Sequence, residues 1–123
     1  SPFSAIIIGL IAGVLVDVAV LFFDRLKVDD PVGAIAVHGV NGLFGTIAVG
    51  FFAKENGLFF GGSSSLLITQ IIGVVSIATF SFLLTYVVMN LLKLTMGIRI
   101  SEEEEKAGID AVSFGVKSYT SNE

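Results

Sequence analysis

Polar and apolar residues are sorted along this chain into long blocks. Three apolar runs, Phe3 to Phe23, Pro31 to Ala53 and Leu66 to Leu92, are separated by short polar stretches. The first run holds a single acid, Asp17; the second holds no Lys, Arg, Asp or Glu; the third holds no charge at all. A helix rising ~1.5 Å per residue needs ~20 residues to cross a hydrocarbon core of ~30 Å, and each run reaches that length. The pattern therefore predicts three membrane-spanning helices, at about 3–23, 31–53 and 66–92. The fold class is all-α integral membrane. The third run has 27 residues and as a helix would be ~40 Å long, so tilt or extension into the interface is expected.

The breaks between the runs carry their own signals. The turn from Asp24 to Asp30 follows Phe22-Phe23, and Pro31 is placed to open the second helix, where its missing N–H costs nothing. Asp30 sits at the N-cap position, and Asp29 and Asp30 complement the positive end of the helix dipole. The second span exits at Lys54-Glu55-Asn56-Gly57, and Gly61-Gly62-Ser63-Ser64-Ser65 reads as a flexible loop. Gly97 marks a helix end. The chain thus divides into a transmembrane region, 1–97, and a polar tail, 98–123. Within the tail, Ser101 followed three residues later by Glu104 fits a capping box, and Glu102 to Glu105 complement the dipole of the helix it starts.

Composition agrees with the pattern: 54% of residues are hydrophobic and only 15% charged, unlike an ordinary soluble domain. The first run lacks a basic leader and a small-residue cleavage site, so it is not read as a signal peptide. The chain opens on Ser-Pro instead of Met, which reads as a fragment or a processed product. There are no cysteines, which removes disulfides and thiolate metal sites. The net charge of −4 is mild and comes mostly from the tail, and it does not suggest nucleic-acid binding. Arg25 and Lys27 flank the first turn, and Lys93, Arg99, Lys106 and Lys117 follow the third span, whereas the loop between spans two and three has only Lys54. The positive-inside rule then predicts a multi-pass protein of the cell membrane with a cytoplasmic tail and an external start.

His38, the only histidine, lies inside the otherwise uncharged second span. An ionisable side chain at that depth normally faces a cavity, a pathway or a partner. At α-helical spacing Ala34, His38, Asn41, Gly42 and Gly45 share a face, so Asn41 is expected as a polar companion of the imidazole. Gly39, Gly42 and Gly45 recur every third residue, as close helix packing in a membrane favours. A neutral imidazole can donate or accept one hydrogen bond without charge, which suits holding a small amine or relaying a proton. No second His, Cys or carboxylate lies at ligand spacing, so no metal is expected. No cofactor motif and no nucleophile–base pair is present, and an enzyme is not expected.

The string VDDPVGAIAVHGVNGLFGT closely resembles the penultimate span of ammonium transporters of the Amt/Mep/Rh type. IIGLIAGVLVDVAVLFFDRLKVDDP is similar to their ninth helix, and LLKLTMGIRISEEEEKAGID to the end of their last helix and the start of their cytoplasmic tail. The resemblance covers nearly the whole chain in order, as the C-terminal portion of the family. It implies an eleven-helix, inverted-repeat transporter assembled as a homotrimer, each subunit with its own apolar pore for ammonium or ammonia. It implies that His38 is the second of the paired pore histidines and that Asp30 occupies a conserved acidic position at the cytoplasmic end of that helix; Ala34, Asn41 and Gly42, on the same face by helical spacing, are expected to line the pore with His38. The partner histidine and the phenylalanine gate would lie in the missing part of the family chain. In the tail, Gly108, Asp110, Gly115 and Tyr119 match the family's G-[LI]-D-x-x-x-H-G-x-x-x-Y pattern, with Phe114 replacing its histidine. That region is implied to contact the neighbouring subunit near a docking surface for PII-type regulatory proteins. Asp17 is not a residue the resemblance leads one to expect. The alternative function is an ammonium sensor of the same fold signalling to a cytoplasmic partner.

Overall fold

The computed structural model describes residues 1–115. Among these residues all regular structure is helical, and three helices are long and apolar enough to cross a membrane: Pro2–Arg25, Ile35–Phe52 and Ser64–Thr95. By internal contacts the chain divides into two units, Ser1–Ser81 and Phe82–Glu123, and the third long helix runs from the first into the second.

Helix α1, Pro2–Arg25, starts where the Ser1 hydroxyl accepts from the Ser4 amide and Pro2 fills the first turn. It ends in a paired motif: the Val28 amide donates to the Phe23 carbonyl and the Lys27 amide to the Asp24 carbonyl, both at 3.0 Å. This is the geometry of a Schellman cap, with Lys27 at φ 57° where glycine is usual. Asp17 is exposed on this helix.

The second span begins later than its sequence pattern predicts. Asp30 to Gly33 form a turn, with the Gly33 amide donating to the Asp30 carbonyl at 3.0 Å and Gly33 at φ +67°. Pro31 lies in this turn and not in the helix. The Asp30 carboxylate reaches past it to accept from the Ala34 amide at 2.7 Å and the Ile35 amide at 2.8 Å. Capping from four and five residues back displaces the helix start, because the aspartate serves amides beyond the proline. Residues Ile35–Val40 then form a π-helical segment that continues into α2, Asn41–Phe52.

A corner closes the end of α2. Phe59, from the short 3-10 turn Leu58–Phe60, packs its ring against Phe51 and Phe52 with centroids 5.2 Å apart in each pair. Helix α3, Ser64–Thr95, leaves this corner beside α2. Gly50 permits the approach: a Cβ there would lie 2.7 Å from the Leu67 Cα, closer than any side chain allows. Among the described residues the buried ones are small, Ser4, Ala19, Ala36, Ala48, Gly50 and Gly57, as close helix packing in a membrane requires. Large apolar side chains such as Phe3, Leu10 and Val14 remain exposed.

In the second unit α3 ends at Thr95, and Gly97 follows at φ +71°. Two short helices come next, α4 (Glu102–Ala107) and α5 (Ile109–Phe114). The capping box is present: the Ser101 hydroxyl accepts from the Glu104 amide, and the Glu104 carboxylate accepts from the Ser101 amide at 3.0 Å.

Candidate functional site

The π-helical segment decides where the polar groups of the second span point. The Asn41 amide N–H donates to the Ala36 carbonyl five residues back, so one residue is added to the turn that contains His38. Such single π turns recur at functional sites, where they re-aim side chains. Here the side chain of Asn41 turns to α1, and its Nδ2 donates to the Ala12 carbonyl at 3.1 Å. Its Oδ1 is buried with no protein partner among the described residues. Among the described residues His38 and Asn41 do not hydrogen-bond to each other. The imidazole faces α3, and the amide is used to join α1 to α2.

His38 lines an open-sided cavity of about 570 Å3 between the second span and α3. From the second span His38, Gly42 and Thr46 contribute, and from α3 Gln70, Gly73 and Ser81. Of the residues singled out from sequence, the cavity brings together His38, Gly39 and Gly42. Ala34 lies at the helix start, its amide held by Asp30. Asp30 sits at the same end, its two carboxylate oxygens on successive amides. Gly108 is at φ +88° and joins α4 to α5, and Asp110 lies in the first turn of α5. Tyr119 lies outside the described residues.

The walls are apolar with a few hydrogen-bonding groups. The Thr46 hydroxyl donates to the Gly42 carbonyl at 2.9 Å, which leaves its lone pairs as acceptors. Neither the His38 imidazole nor the Gln70 amide has a hydrogen bond among the described residues. A Cβ added at Gly42 or Gly73 would meet nothing within 4 Å, so both glycines face open space. Such a cavity has room for a small polar solute and offers it hydrogen-bond donors and acceptors. No group of three or more His, Cys, Asp or Glu gathers among the described residues.

Gln70, Gly73 and Ser81 were not singled out from sequence. Gln70, Gly73, Ile77 and Ser81 recur at steps of three or four along α3 and line one face. That stripe of polar and small residues in an apolar span is the signal that was available.

Residues 1–119 match the Ammonium Transporter Family. The chain is similar to the ammonium transporter Amt1 of Archaeoglobus fulgidus, 36% identical over 122 residues, which cover 95% of this chain and 31% of the relative. It is also similar to the ammonium transporter of Bacillus subtilis, 35% identical over 127 residues, covering 97% of this chain and 31% of the relative. The ammonium transporter Amt2 of Methanocaldococcus jannaschii is 36% identical over 121 residues, covering 97% and 28%. The chain thus spans less than a third of the length of these relatives. No solved structure matches.

Proposed function

The chain belongs to the ammonium transporter family, and on that premise we propose that it supplies the last three membrane helices and the tail of a longer ammonium transporter. In this reading residues 1–97 are the transmembrane region and 98–123 a cytoplasmic tail. The complete protein is a homotrimer in the lipid bilayer, built on eleven helices per subunit, and each subunit conducts through its own pore. The observation that carries the reading is His38, the one histidine, on the wall of a cavity between two membrane helices.

The chemistry fits the task. A bare cation entering hydrocarbon meets a large desolvation cost. A neutral imidazole lowers that cost by accepting a hydrogen bond from an N–H or donating one to a lone pair. The glycines beside it leave space, and the Asp30 cap fixes the start of the helix that carries it. The tail, through Gly108, Asp110 and Tyr119, contacts a neighbouring subunit and presents a surface to a PII-type regulator. This last step rests on the resemblance alone.

The decisive experiment replaces His38 in the full-length protein. His38→Ala should lower ammonium or methylammonium flux in proteoliposomes by at least about tenfold, the equivalent of one strong hydrogen bond lost in the path. Its oligomeric state and membrane insertion should stay as in wild type. Wild-type flux from a correctly assembled His38→Ala protein would remove His38 from the pore.

A further inference from the structure

The second span meets α1 at two places, one on each side of its π-helical segment. Before the segment, Gly33 lies beside Val20: a Cβ added at Gly33 would stand 3.8 Å from the Val20 Cγ2. After it, the Asn41 Nδ2 donates to the Ala12 carbonyl at 3.1 Å. Eight positions separate Gly33 from Asn41 and eight separate Val20 from Ala12, in opposite directions, as antiparallel neighbours require. Between the two places the segment packs against α1, and Ala36 is fully buried. His38 belongs to that segment, and its side chain lines the cavity.

Close packing alone does not call for an amide at Asn41. Ala12 lies in the interior of α1, where the helix ladder already gives its carbonyl an N–H partner four residues on. The bond from Asn41 is thus a second one to an oxygen that is satisfied without it. Its own Oδ1 is buried with no protein partner among the described residues, and a buried acceptor without a donor costs stability. A leucine of similar volume would fill the space without that cost. Leucine would not, however, tie the end of the π turn to α1. The turn closes on the Asn41 backbone N–H, which donates to the Ala36 carbonyl, so the residue that ends the turn is also the one bonded to the neighbouring helix. Turns of this kind are rare in helices, and one that persists needs a support. We propose that Asn41 is a positioning residue: its bond to the Ala12 carbonyl holds the π turn that sets where the His38 imidazole stands in the cavity. Its effect on flux rests on the pore reading of His38 above, whereas its effect on the imidazole is read directly.

The test uses the full-length transporter, with ammonium flux measured in proteoliposomes and the imidazole followed by 15N NMR, the His38 signals being those lost in His38→Ala. Asn41→Leu leaves no group unpaired, so it should assemble as wild type and melt at or above the wild-type temperature. Its His38 signals should nevertheless shift, and its ammonium flux should fall about three- to tenfold, the range of one hydrogen bond lost in the path. Asn41→Gln keeps the amide on a longer stem and should recover part of both. Added to His38→Ala, Asn41→Leu should lower the residual flux no further, because it acts through the imidazole. A merely structural role predicts the reverse: lower melting, unmoved His38 signals and additive losses. Unmoved His38 signals in an assembled Asn41→Leu protein overturn the proposal, whatever the flux. Should Asn41→Leu fail to assemble, Asn41→Ser, whose hydroxyl is too short to reach Ala12, is judged by the same signals. Shifted signals together with wild-type flux from His38→Ala would uphold the positioning and remove the pore reading.

Discussion

Asp30 holds the start of the second span with both carboxylate oxygens, 2.7 and 2.8 Å from successive amides. These bonds are charge-assisted, and the negative charge faces the positive end of the helix dipole. Asp30→Ala should therefore lower the thermal stability of the detergent-purified protein, by about 1–2 kcal/mol on the scale of N-cap losses. Asp30→Asn keeps one acceptor oxygen and should fall between the two. Equal melting of Asp30→Ala and wild type would show that the cap does not govern the helix start. The capping role could be read from the sequence, since an aspartate before a long apolar helix is a familiar start signal. Its reach could not: the pattern places Pro31 in the first turn, whereas the carboxylate spans the proline and serves Ala34 and Ile35. The direction of the Asn41 amide was unreadable for a related reason. Spacing arithmetic assumes a uniform helix, and the added residue in the π turn aims Asn41 at Ala12 instead.

At the scale of elements, the three long helices were legible because burial in a bilayer tolerates few charges, and long charge-free blocks leave little else to form. Their ends were less so. Helix α3 extends from Ser64 to Thr95, beyond the apolar run at both ends, and Thr95 bonds back to the Leu91 carbonyl in its last turn. The cavity wall on α3 went unread, since one glutamine and one serine in a span do not announce a shared site until a second helix lies beside them. The short helix α4 was legible from Ser101 and Glu104, whose reciprocal bonds hold its first turn. The backbone and side-chain hydrogen bonds from Ser101 hold the Glu104 carboxyl below the usual glutamate range. A lowered value means the carboxylate stabilises the turn above the ordinary glutamate range, and that support is lost as pH falls through the depressed value. Cα chemical shifts of residues 101–107 should stay helical at neutral pH and move towards coil on acidification. Glu104→Gln, which keeps the box without the charge, should flatten that dependence. Shifts in wild type that ignore pH down to strongly acidic conditions would contradict it.

At the scale of the molecule, the described residues bury alanine, serine and glycine and leave large apolar side chains outside. That distribution suits a lipid surround or further membrane helices, and it makes the exposed Asp17 conspicuous, since a charge within an apolar helix needs a polar or protein-lined neighbour. The same reasoning sets the orientation. Arg25 and Lys27 flank the first turn and Lys93, Arg99 and Lys106 follow the end of the third span, while Lys54 is the one basic residue in the other connection. On the three-span reading the first turn and the tail share one side, which the positive-inside rule predicts to be the cytoplasm. The stretch has no cysteine of its own, so single cysteines placed in it report cleanly once any elsewhere in the full-length protein are replaced. Lys27→Cys and Glu103→Cys should react with a membrane-impermeant maleimide only in inside-out vesicles, and Asn56→Cys only in intact cells. The first pair tests the side, and the contrast with Asn56 tests the number of crossings. Were Asn56→Cys and Glu103→Cys to react from the same face, α3 would not cross the membrane, and the three-span topology would be overturned.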